Sequence, residues 1–269
     1  MFRKHSTLAA SLVLLGAFGA AESASAQAIL ALVGDNTIAM IDPASRKVTK
    51  SWPVKGVDKL AGIDVRPADG MLYGVTTNGW IVTIDTKTGE TAKKLELTEK
   101  LDPKLPAVVD FNPAADALRL MSTDGKNLRI KVDEGKTTVD GTLKFAETDM
   151  HKGEKPNVVA GAYTNSVKGT KETALYNIDA TIGALLRQAP PNDGIQNAVG
   201  KLGFKVSGPV AFNIVADGNG KNDAWLVNGG TLYAVDLATG KAKSVGAIAN
   251  LKGTIRDIAW WPADAKQSM

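Results

Sequence analysis

Past its first 26 residues the chain alternates short apolar runs with turns rich in Gly, Asp, Asn and Pro, and one apolar run recurs. It is read first in Leu60-Ala61-Gly62-Ile63-Asp64-Val65-Arg66-Pro67, then in Ala107-Val108-Val109-Asp110-Phe111-Asn112-Pro113. Further copies are Val158-Val159-Ala160-Gly161-Ala162-Tyr163-Thr164-Asn165, Gly208-Pro209-Val210-Ala211-Phe212-Asn213 and Arg256-Asp257-Ile258-Ala259-Trp260-Trp261-Pro262. With Ala61, Ala107, Val158, Pro209 and Ile258 as markers, the copies are spaced by 46, 51, 51 and 49 residues. A second pattern follows at a steady offset. Gly79-Trp80-Ile81-Val82-Thr83-Ile84-Asp85 with Gly89 matches Gly230-Thr231-Leu232-Tyr233-Ala234-Val235-Asp236 with Gly240, and residues 36–43 and 127–133 are weaker copies. This is a strand running into a turn: Asp accepts a backbone N–H at the first turn position, and the glycine takes positive φ.

Each unit then yields four short strands. They are predicted at 61–66, 71–76, 80–85 and 91–97, and again at 107–111, 117–122, 127–132 and 137–145. The unit opening at Val158 is out of register, with strands at Thr173–Asp179 and Leu185–Gln188 and a turn at Pro190–Gly194. Four-stranded units at a period of 40–50 residues are the signature of a β-propeller. The ends agree. Ala28–Val33, Thr37–Ile41 and Val48–Trp52 lack a first strand, and Ile255–Trp261 is a first strand with nothing after it. Together they complete one blade, which removes an open sheet edge. The expected fold is all-β, a β-propeller of five four-stranded blades closed by strands from both ends. Two stacked sandwiches would not explain why the strand missing at one end is the surplus strand at the other.

Composition narrows the chemistry. The 269 residues contain no cysteine and two histidines, so there is no disulfide framework, thiolate zinc site or cysteine nucleophile. Residues 1–26 read as a secretory signal: Arg3, Lys4 and His5, an apolar run from Leu8 to Ala21, and Ala24-Ser25-Ala26 as a small-x-small cleavage site. The run is too short for a spanning helix. A periplasmic or secreted protein cleaved near Ala26 is expected, without a membrane span. Only His151 then remains, in the polar stretch Asp149–Pro156, where it reads as a solvated loop residue. The basic residues are scattered and give no nucleic-acid signature.

The segments Val109-Asp110-Phe111-Asn112-Pro113-Ala114-Ala115-Asp116, Gly62-Ile63-Asp64-Val65-Arg66-Pro67, Tyr163-Thr164-Asn165-Ser166 and Gln188-Ala189-Pro190-Pro191-Asn192-Asp193-Gly194 are similar to a bacterial exported family catalogued as domain of unknown function 4394. The resemblance runs from about Ile29 to Pro262. It implies export and propeller-like repeats, and carries no activity or catalytic residues. This chain departs from it at Arg119-Leu120-Met121 and at Asp217–Asp223, where less regular strands are expected.

In a propeller the first strand of each blade lines a central channel. Asp64 and Asp110 hold equivalent places, and Arg66, Asn112 and Asn213 lie two residues past the Asp position, on the same strand face. These five are the candidate ligand-binding residues, for a small polar ligand or a cation. The structural alternative is a hydrated channel in which the carboxylates bond neighbouring blades. Asp217–Asp223 has oxygen ligands at alternating places, loosely like a calcium loop, but reads more simply as a hairpin loop. Trp52, Trp80, Trp225, Trp260 and Trp261 are expected as wedges between blades, with one of the last two facing the channel or a rim. Three functions compete. The first is a monomeric, non-catalytic propeller that binds a small polar ligand or a protein and needs no cofactor. The second is a metal-assisted hydrolase or lactonase using Ca²⁺ or Mg²⁺ held by Asp64, Asp110 and Asn112, which needs three convergent oxygen ligands. The third is a purely structural surface protein.

Overall fold

In the computed structural model, which describes residues 27–261, five small antiparallel sheets form a ring. The predicted signal, residues 1–26, lies outside the described residues. The first blade contains β4 (Leu60–Val65), β5 (Leu72–Thr76), β6 (Trp80–Ile84) and β7 (Thr91–Glu96). The second contains β8 (Ala107–Asn112), β9 (Ala117–Ser122), β10 (Asn127–Lys131) and β11 (Lys136–Val139). The third adds β12 (Lys144–Phe145) to the outside of β13 (Val158–Tyr163), β14 (Leu175–Asp179), β15 (Ala184–Gln188) and β16 (Ile195–Lys201). The fourth contains β17 (Val210–Ala216), β18 (Asn222–Asn228), β19 (Thr231–Val235) and β20 (Ala242–Ala247). The fifth joins β21 (Ile255–Trp261) to β1 (Ala28–Val33), β2 (Thr37–Asp42) and β3 (Lys47–Pro53), in the order β21-β1-β2-β3. The ring is therefore closed as predicted, with Ala28 opposite Trp261.

The turns have the predicted chemistry. Asp85 Oδ1 accepts the N–H groups of Lys87 (2.7 Å) and Thr88 (2.9 Å), and Asp236 Oδ1 accepts that of Ala238 (2.8 Å). Gly89 and Gly240 close these turns at φ +74° and +76°.

Five apolar clusters fill the five blade interfaces. Between the fifth and first blades, for example, Leu30, Leu32, Ile38 and Trp52 pack on Leu60, Ile63, Leu72 and Ile84. Strand alternation sends one row of each sheet into one interface and the other row into the next, so burial is shared around the ring.

Two expectations are corrected. The predicted strand 137–145 ends at Val139, and Lys144–Phe145 crosses to pair in parallel with β16 of the next blade. The crossing is fixed at Gly141, whose N–H donates to Asn192 O (2.8 Å) and where a Cβ would stand 2.5 Å from Asp193 O. Nor are the strands irregular at Arg119–Met121 or beside Asp217–Asp223. β9 is continuous and wholly buried, and β17 pairs with β18 over seven residues without a register shift.

Candidate functional site

The inner strands β4, β8, β13, β17 and β21 run side by side around the channel. Their carboxylates form a circumferential relay. Asp257 Oδ2 accepts the N–H of Ile63 (2.8 Å), Asp64 Oδ2 that of Phe111 (2.7 Å), and Asp110 Oδ1 that of Tyr163 (2.8 Å). Each bond therefore joins one blade to the next. Asn213 reaches in from β17, its Nδ2 3.4 Å from Asp110 Oδ2. The close approach of the inner strands requires a glycine at position 62, where a Cβ would lie 2.6 Å from Asp257 Oδ2 and from a Val109 methyl.

These acids are buried, and burial raises all three pKa values. Asp64 is pushed up to about 7. Asp110 stands well above the usual carboxylate range through burial and then the nearby Asp64 charge, and Asp257 does so chiefly through burial.

The channel opens at two mouths. Inner strands end at the first, where Asp64, Val65, Asn213, Ile214, Val167 and Trp260 line part of a cavity of about 300 Å³. Trp260 stacks on Trp225 (centroids 6.5 Å apart, 10° between planes), while Trp261 packs in the interface of the fifth and first blades. This is the predicted division of the two residues. Inner strands begin at the other mouth, where a cavity of about 360 Å³ is bounded by the loop from Leu97 to Ala107 and by Arg256.

Of the five residues selected from sequence, Asp64 and Asn213 line the first cavity and Asp110 lies within the channel wall. Arg66 and Asn112 are used elsewhere. β4 ends at Val65, so strand alternation no longer aims Arg66. Its guanidinium grips Asp116 (Nε–Oδ1 2.8 Å) and Asp133 (Nη2–Oδ2 2.6 Å), binding turns of the second blade to the first. Asn112 closes β8, where its Oδ1 accepts the N–H groups of Ala114 (3.0 Å) and Ala115 (2.8 Å) in an Asx turn.

Asp257 is not singled out by the repeat, because Ala259 holds the place in its strand that Asp64 holds in the first blade. Asp257 lies two residues before Ala259, and strand alternation turns both to one face. Arg256, at the opposite mouth, carried no signal beyond its charge.

The expected trio of Asp64, Asp110 and Asn112 does not converge as a set of oxygen ligands. Asn112 spends its carbonyl on a turn, and among the described residues no three His, Asp or Glu side chains are grouped to hold a metal ion. The loop after Asp217 is a hairpin held by its own turn bonds, with Asp217 Oδ1 accepting from Asn219 (2.7 Å) and Lys221 (3.1 Å). His151 sits in a polar turn, its Nδ1 3.2 Å from Glu154 Oε2 and its ring against Phe145.

The model of the family described as domain of unknown function (DUF4394) matches residues 37–259. No curated protein matches the sequence. A protein of unknown function from Bacteroides thetaiotaomicron VPI-5482 has a similar structure: TM-score 0.53 and 16% identity, over 88% of this chain and 66% of that one. An auxiliary nutrient binding protein from Bacteroides ovatus ATCC 8483 is also similar, with TM-score 0.53 and 12% identity, over 89% of this chain and 60% of that one. This chain thus spans less than two thirds of the length of either, and at such identities the likeness is one of fold.

Proposed function

The chain belongs to the DUF4394 family, and from that premise we propose that it is an exported, non-catalytic binding propeller whose Asp64 mouth takes a small polar ligand. One observation carries this reading: the buried Asp64 and Asn213 reach a cavity walled by Val65, Val167, Ile214, Val215 and Trp260, with Gln27, Asp69, Ser166 and Lys168 also lining it. A few placed polar groups among apolar walls are the general form of a small-molecule site. A carboxyl poised near neutrality accepts hydrogen bonds when ionised and donates one when protonated, and Asn213 does both, which suits a sugar, polyol or amine. Trp260 offers an aromatic wall to the apolar face of such a ligand. The channel carboxyls each hold a neighbouring blade's N–H, and that structural use favours binding over hydrolysis. The Bacteroides ovatus protein built on this frame is described as an auxiliary nutrient binding protein, and a similar use of the frame is proposed here. Export rests on the pattern of residues 1–26, and among the described residues no helix is long and apolar enough to cross a membrane.

The test is a titration of the purified protein with a panel of monosaccharides, polyols and small amines, followed by tryptophan fluorescence and melting temperature. At least one compound is expected to change both, with Asp64→Ala weakening it about tenfold and Trp260→Phe removing the fluorescence response. A panel in which no compound moves either signal defeats the reading.

A further inference from the structure

We propose that the opposite mouth of the channel is a second, separate binding site, for a small amphipathic anion whose apolar body carries one carboxylate, anchored by Arg256. All five inner strands contribute to this cavity, through Ala61, Ala107, Val159, Val210 and Arg256. Val75, Leu97, Leu101, Leu105 and Leu120 give it apolar side walls, with Thr76 and Thr77 also lining it. Three cations line it, Lys59, Lys104 and Arg256, against the single carboxylate of Asp102.

The three cations are not equivalent. Lys104 is exposed at the rim, and Lys59 is paired with Asp35 (3.2 Å). Arg256 is half-buried and is held from one side only by neutral carbonyls. Its Nε donates to Gly34 O (2.6 Å), and its Nη2 donates to Asp35 O (3.5 Å) and Leu60 O. Its Nη1 has no hydrogen-bond partner among the described residues. Arg66, Arg119 and Arg129 are matched with aspartates, whereas Arg256, like Arg46 and Arg187, makes no ion pair among the described residues. Burial holds its pKa below the usual arginine range, against the charges of the nearby Asp35 and Asp257, which act to raise it.

A guanidinium taken partly out of water without a counter-ion is a cost that a bound carboxylate relieves. Arginine also presents donors in a fork that matches carboxylate geometry. The apolar walls add a demand that a bare anion does not meet, because only a ligand with a hydrocarbon or aromatic body buries them. The two mouths therefore differ in chemistry: the Asp64 cavity is lined by Asp64, Asp69 and Lys168 with an aromatic wall, and the Arg256 cavity by three cations and Asp102 with aliphatic walls.

Calorimetric titration of the purified protein with octanoate, octylammonium and acetate separates the components. Octanoate should bind about tenfold or more tightly than octylammonium, which has the same tail and the wrong charge, and than acetate, which has the head without the tail. Arg256→Met keeps the side-chain volume and removes the charge, and should weaken octanoate by about tenfold. Arg256 also ties down three carbonyls. If that variant fails to fold, Lys104→Glu and Leu101→Asp on the exposed loop carry the test, and each should lower octanoate affinity. Equal binding of octanoate and octylammonium, no octanoate binding, or octanoate binding indifferent to every variant that folds would overturn the proposal. The Asp64 mouth is probed with different compounds and a different readout, so either reading can fail without the other.

Discussion

Arg119 is 1% exposed in the middle of the apolar strand Ala117-Leu118-Arg119-Leu120-Met121. It is tolerated there because every side of the guanidinium is met. Nε donates to Tyr163 OH (3.1 Å), Nη1 to Asn127 Oδ1 (2.8 Å) and Asp140 Oδ2 (2.7 Å), and Nη2 to Asn192 Oδ1 (2.8 Å). These partners come from two blades and from the Pro190–Gly194 segment, so one side chain ties that segment to its neighbour. Removing one member of such a network leaves the others buried and short of partners. Arg119→Met should cost about 3 kcal/mol, read as a lower urea midpoint; a loss below about 1 kcal/mol would show that the network is not cooperative. The sequence displays an arginine interrupting an apolar run, which marks a departure but not its reason. Asn192 lies 73 residues away, and no local pattern joins the two. Asp64 was legible because its role follows from strand alternation. Arg66 and Asn112 stand at strand ends, where alternation gives way to turn geometry.

The strands themselves were legible because their cues are local: an apolar run, then Asp and Gly at fixed turn positions. β12 was not, because a contact between Gly141 and Asp193, far apart in the chain, decides where that strand pairs. The inner strands share a titratable property. In the unfolded chain Asp64, Asp110 and Asp257 ionise near pH 4. In the folded ring they keep their protons to higher pH, Asp64 to about 7. Between those values the folded state binds more protons than the unfolded state, so stability is fully present below about pH 4 and falls as pH rises towards about 7 and beyond. Asp42, Asp85 and Asp236, whose pKa values are lowered by hydrogen bonds in their turns, act in the opposite sense and only at the acid end. Guanidinium unfolding should therefore give a higher midpoint at pH 5 than at pH 8. Asp110→Asn keeps an oxygen for the Tyr163 N–H and should flatten that difference; an unchanged pH profile in the variant would remove Asp110 from the account.

At the scale of the molecule, five blades each bury one face against each neighbour, so no blade has a complete core alone. The closing blade depends most on this, since β21 comes from one end of the chain and β1–β3 from the other. A chain ending at Thr254 loses β21 and exposes β1, whose residues are all buried, as a free apolar edge. It should aggregate or lose its cooperative melting transition, and a monomer melting like the parent would contradict closure by that strand. This level of organisation was legible by counting, because a strand missing at one end equalled the surplus at the other. The chemistry of the two mouths was not, since each is assembled from residues of several blades.

The pairing of Ala28 with Trp261 also gives the ring an orientation. Gln27 and Trp260 both line the cavity beside Asp64, so both ends of the described chain leave from that face. Anything attached at either end would hang the ring from its Asp64 side. The Arg256 mouth would then face away from the attachment, towards whatever diffuses past.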